Sequence, residues 1–138
     1  RTLEGLEEEV ERAVAAEPSP PARLRAFMLA HARYFERHRS GFIVMLVGFS
    51  GMTTSEFKDE AMQLRDAYER LLRTIIAAGV ADGSFRDVKV DTTTRAVLSL
   101  LNWMVRWFKP GAGMSAEQVA LDYHDLLVKG MLPDLPPN

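Results

Sequence analysis

The chain has 138 residues, 47% hydrophobic and 26% charged, with a net charge of −2, a length and composition that suit one globular domain. It has no cysteine, which removes disulfides and zinc–thiolate sites, and no apolar run approaches the roughly 18 residues of a membrane span. Residues 1–17 hold six glutamates against two arginines, and no basic patch dense enough to grip a phosphate backbone occurs anywhere, so this chain alone is not expected to bind nucleic acid.

With no signal peptide at its start, the expected location is cytoplasmic. Arg1 already lies in helix-like sequence, and further sequence before it is expected. Residues 2–16 place Leu3, Leu6, Val10, Ala13 and Val14 on one side of a glutamate-rich helix, and Glu7-Glu8-Glu9 reads as its solvated face. Ser19-Pro20-Pro21 restarts the chain, because serine caps a helix and proline is tolerated in its first turn. The next helix carries Leu24, Phe27, Met28, His31, Tyr34, Phe35 and His38 on one face and Arg23, Arg33 and Arg37 on the other. Arg39-Ser40-Gly41 is expected to break it. The apolar run Phe42–Phe49 fits a buried strand or a buried helix; with no second strand to pair with, it is read as helix.

Thr53 and Glu56 resemble a capping box opening a long helix with Phe57, Ala61, Leu64, Tyr68, Leu71, Leu72 and Ile75 on one face. At about 35 Å it is expected to be the backbone of the domain. Asp82-Gly83 is read as a loop rather than a hairpin, since the segment after it is too short to pair. Asp91–Pro110 then forms a helix with more apolar surface than one packing face requires: Val97, Leu98, Leu100, Leu101, Trp103, Met104, Val105, Trp107 and Phe108 cover over half of its circumference. Such a helix packs on two sides, against its own domain and against a second copy of the chain. Thr92, Arg95, Ser99, Asn102, Arg106 and Lys109 form its polar edge. Pro110-Gly111 ends it, and Ser115 with Gln118 makes a second capping box before a last helix with Val119, Tyr123, Leu126 and Leu127 on one face. The tail, residues 133–138, is read as unstructured.

Three segments in this order carry a resemblance: Gly79-Val80-Ala81-Asp82-Gly83-Ser84-Phe85, the apolar helix with Asn102-Trp103 and Trp107, and the capped helix ending Lys129-Gly130-Met131. Together the chain resembles the C-terminal regulatory domain of TetR-family transcriptional repressors, over essentially its whole length. Asn102-Trp103, Trp107 and Pro110-Gly111 look more like the subgroup answering to acyl-CoA thioesters. The resemblance implies an all-α bundle of about six helices over residues 1–132, dimerising through its last two, with the family's three-helix DNA-binding head lying before Arg1 and absent from the chain. It also implies a homodimer, a small hydrophobic or acyl-CoA-type effector that releases the dimer from operator DNA, DNA contact only through the missing head, and neither cofactor nor membrane.

Phe27, Phe42, Met45, Phe49, Met62, Tyr68, Trp103 and Met104 offer aromatic and adaptable surface, and Phe27, Phe42, Met45, Tyr68 and Trp103 are taken as ligand-binding. His31 joins them as either a satisfied core histidine or a polar contact in a cavity. Asn102, an amide inside the most apolar stretch, needs a partner and is a candidate for the pocket lining. Arg106 shares the polar edge with Arg95 and Lys109, which reads either as a stripe facing phosphate or carboxylate or as the solvated edge of a helix. Leu98, Leu101, Val105, Tyr123, Leu126 and Leu127 are expected at the dimer interface. His31 and His38 are seven residues apart, with His124 distant, so no metal site is expected. Enzymatic chemistry lacks a basis: there is no cysteine nucleophile, Gly-x-Ser-x-Gly elbow, phosphate-binding glycine loop or Glu-x-x-His pair. The competing reading is a helical dimerisation or scaffolding module without a ligand.

Overall fold

The computed structural model describes residues 2–43 and 55–131. Its elements are α1 (Thr2–Ala15), α2 (Pro20–Arg37), α3 (helical at residues 39–43), α4 (Ser55–Ala81), α5 (Val90–Trp107) and α6 (Ala116–Met131). Among the described residues there are six helices and no strand, and the fold is an all-α bundle.

Local chemistry sets most of the boundaries. The Ala22 amide donates to Ser19 Oγ at 3.3 Å, with proline at the start of α2. Ser115 and Gln118 close a reciprocal box: the Ser115 amide donates to Gln118 Oε1 at 2.8 Å and the Gln118 amide to Ser115 Oγ at 3.1 Å. Asp82-Gly83 is a loop, in which the Ser84 amide bonds Asp82 Oδ1 at 2.8 Å and Gly83 takes a φ of 81°, a conformation glycine adopts without strain. Arg86 then reaches across to the end of α6, its amide donating to the Met131 carbonyl at 2.7 Å and its Nε to that of Gly130 at 2.8 Å. Those carbonyls have no partner within the helix.

Three expectations are corrected. Arg39-Ser40-Gly41 does not break the helix: the interruption is one residue, His38, and residues 39–43 are helical again. Ser40 and Gly41 lower helix propensity, but Arg39 Nη2 donates to the Phe108 carbonyl at 3.3 Å and Phe42 packs into the core. The helix expected over Asp91–Pro110 runs instead over Val90–Trp107. Asp91 lies in its first turn, with Lys89 at the cap and Arg73 Nε donating to Asp91 Oδ1 at 3.0 Å. Finally, α2 rather than α4 is the centre of the bundle. Residues 27 through 32 are all buried, because α2 is packed by α1, α4, α5 and α6. Only the edge carrying Arg25, Arg33, Glu36 and Arg37 reaches solvent, and the rest of the helix is apolar because neighbours cover it. The Thr53–Glu56 box, Met45, Phe49 and the tail 133–138 lie outside the described residues or have side chains that do.

Candidate functional site

Four expected site residues meet in the core between α2, α3 and α4. Phe27 and His31 are one turn apart on α2, Phe42 comes from α3 and Tyr68 from α4. The Phe27 and Tyr68 rings stack at 4.8 Å, His31 and Tyr68 at 5.9 Å, and Phe42 stands edge-on to His31 at 5.8 Å. All four are buried. His31 Nδ1 and Tyr68 Oη share a hydrogen bond of 2.7 Å, while His31 Nε2, also buried, has no partner among the described residues. Burial pushes the His31 pKa down to about 4, and burial, reinforced by the Glu7 charge, holds the Tyr68 hydroxyl well above its usual range. Both side chains are therefore neutral at physiological pH.

Asn102, Trp103 and Arg106 do not join this cluster. All three are exposed, Trp103 at 60%, and the Arg106 guanidinium lies 5.2 Å from the Trp103 ring centroid. The reason is geometric: α5 buries only the stripe Thr94, Val97, Leu101 and Met104, continued by Phe108, and Asn102 is turned about 100° from Leu101. Asn102 meets solvent and needs no protein partner. Met104 is core, and Met62 is exposed. Met45 lies outside the described residues.

The expected interface residues also separate. Leu101 is 1% exposed and fully occupied by its own chain's core, so it has no area to offer a partner. Leu98, Val105, Tyr123 and Leu127 are half-buried against that core, while Leu126 is 68% exposed and Trp107 42%. Outer α5 and α6 thus present large apolar side chains that the described residues of their own chain cover only in part.

Some residues escape a reading of the sequence. Glu7-Glu8-Glu9 is not uniformly solvated: Glu7 is half-buried, and burial and then Glu11 raise its carboxyl pKa. Glu9 pairs with Arg37. A signal for this exists, since Glu7 is three residues before the buried Val10 and so flanks the inner stripe of α1. Arg33 Nη2 bonds Glu117 at 2.6 Å, and Glu36 accepts from the Ala116 amide at 2.8 Å. These residues line a groove of about 420 Å³ between α1, α2 and the start of α6. Its arginines are already matched by glutamates, so it is a tie between helices rather than an anion site. Among the described residues no group of histidine, aspartate or glutamate could hold a metal ion, and no helix is long and apolar enough to cross a membrane.

Residues 17–131 match the family described as Tetracyclin repressor-like, C-terminal domain. The chain belongs to this family. Within it, the TetR-like domain is 31% identical over 115 residues to the HTH-type transcriptional repressor KstR2 of Mycolicibacterium smegmatis, covering 82% of this chain and 56% of that protein. The chain thus spans about half the length of that curated relative. Among solved structures, the TetR-family regulator PfmR from Thermus thermophilus superposes with a TM-score of 0.88 at 45% identity, over 93% of this chain and 69% of that one. AibR, in complex with isovaleryl coenzyme A and operator DNA, shares the fold at a TM-score of 0.78 and 24% identity, over 97% of this chain and 70% of that one. The TetR-like domain is a piece of transcriptional-regulator architecture and not an enzyme.

Proposed function

We propose that this domain is the sensing and dimerising part of a TetR-like repressor. A small hydrophobic or acyl-CoA-type effector enters the bundle at the aromatic cluster, and its binding releases a homodimer from operator DNA contacted through a helix-turn-helix head. The observation that carries the reading is the separation of two surfaces: a buried polar pair among aromatic rings between α2 and α4, and partly covered apolar side chains on outer α5 and α6. A sensor needs both, one to take the ligand and one to hold the partner copy.

The coupling between them runs through α2. It carries His31, and two residues further on Arg33 ties it to α6, while Arg37 ties it to α1. A ligand that displaces α2 moves both neighbours. Such a ligand shifts the dimer only if it binds one arrangement more tightly than the other. AibR with isovaleryl coenzyme A and operator DNA supports the reading as an instance of the same fold holding both kinds of partner.

A thermal-shift screen with CoA thioesters, free fatty acids and aromatic hydrophobes tests this. A true effector at roughly a hundred times its Kd adds about 3 kcal/mol, and Tm rises by several degrees. If no compound shifts the melt, the domain is a ligand-free helical assembly module instead.

A further inference from the structure

Buried donors and acceptors in folded proteins are paired in about nine cases of ten, and exceptions require an explanation. His31 Nε2 is such an exception: the residue is 1% exposed, and this nitrogen has no partner among the described residues. The other nitrogen shows what it lacks. The Tyr68 hydroxyl is wholly buried, and its hydrogen bond is to His31 Nδ1 at 2.7 Å. If Nδ1 carried the proton, the phenolic hydrogen and the Nε2 lone pair would both be stranded. If the phenol donates to Nδ1, only one group is stranded, the N–H at Nε2. The second arrangement leaves fewer unmet bonds, so Nε2 is a donor without an acceptor.

The surroundings define the acceptor. The pair lies among Phe27 and Phe42, and the charge that reaches Tyr68 is the negative one of Glu7. Among the described residues no cation faces this pair closely enough to shift either group, and an unpaired anion is costly in such a place. An alcohol would bring a further donor without an acceptor. A neutral carbonyl brings the acceptor and nothing else.

We propose that the effector inserts a neutral carbonyl group, such as that of a thioester, ester or ketone, whose oxygen accepts a hydrogen bond from His31 Nε2. Tyr68 is the positioning residue that holds the imidazole in the donating tautomer. Phe42, edge-on to His31, is the ring the ligand turns aside. This rests on the sensing reading above and adds the chemistry that the site reads.

The test compares two pairs of compounds on the whole chain by titration calorimetry: decanoyl-CoA against S-decyl-CoA, which lacks only the carbonyl, and methyl decanoate against decanoate. The wild-type chain is expected to prefer decanoyl-CoA over S-decyl-CoA by about tenfold to a hundredfold, the value of satisfying a buried donor, and methyl decanoate over decanoate. In His31→Phe/Tyr68→Phe, which replaces both partners by rings of like size, the thioester preference is expected to vanish while S-decyl-CoA keeps its Kd. That retained Kd reports an intact fold. Equal affinities within the CoA pair, a preference that survives the double substitution, or tighter binding of decanoate each overturn the carbonyl assignment and leave the sensing reading in place. Failure of all four compounds to bind overturns both.

Discussion

At His31, burial and one hydrogen bond fix the charge and the tautomer together. The unfolded chain protonates this imidazole near pH 6.5, whereas the folded chain keeps it neutral down to about pH 4. Between those values the unfolded state binds the extra proton, so stability falls as pH drops through that window and levels off below it. The His31 contribution is at most about 3 kcal/mol across the window. Urea unfolding of wild type and His31→Phe at pH 7 and near pH 4.5 measures it: wild type is expected to lose more stability between the two, and equal losses would remove the account of a neutral buried histidine. Single residues also mark where sequence reading fails. Helical angle separates an inner from an outer face but cannot see what covers each. Asn102 therefore reads as an amide among apolar neighbours, although it meets solvent. Leu101 reads as an interface residue, although its own core takes all of it. The placement of His31 and Tyr68 on inner faces is legible from spacing. Their hydrogen bond spans 37 positions in sequence, and no local pattern encodes it.

Elements bounded by local chemistry are the most legible. The cap at Ser19 and the box at Ser115 depend on groups within three residues of each other, and the chain folds there as its sequence reads. Where a boundary is set by distant contacts, local reading fails: residues 39–43 are helical although Ser40 and Gly41 argue against it, with Arg39 tied to the end of α5. The Ser115 cap holds α6 beside Arg33 and Glu36 of α2, so it belongs to the proposed route between sensing and assembly. Ser115→Ala is expected to cost about 1 kcal/mol in chemical denaturation. Adding Gln118→Ala should cost less than the sum of the single changes, because the two side chains act in one motif. Full additivity would show that the two bonds are independent.

For the molecule as a whole, the excess apolar surface of α5 resolves into an inner stripe that completes the core and an outer one that includes Trp103 and Trp107. With Leu126 on α6 it leaves three large apolar side chains at 42% to 68% exposure. Solvated singly, such residues are unremarkable; on the last two helices of a TetR-like domain they fit a self-complementary face, in which each copy covers the other's. Charge placed there should separate the copies without unfolding either, since neither Trp107 nor Leu126 belongs to the buried core, whereas a change at Leu101 should unfold the chain. Sedimentation velocity at micromolar concentration measures this directly. The account predicts a species of twice the 15.5 kDa chain mass for wild type and a folded monomer for Trp107→Glu/Leu126→Glu, with unchanged circular dichroism. A wild-type chain that sediments only as a monomer, or a double variant that remains dimeric, would contradict it.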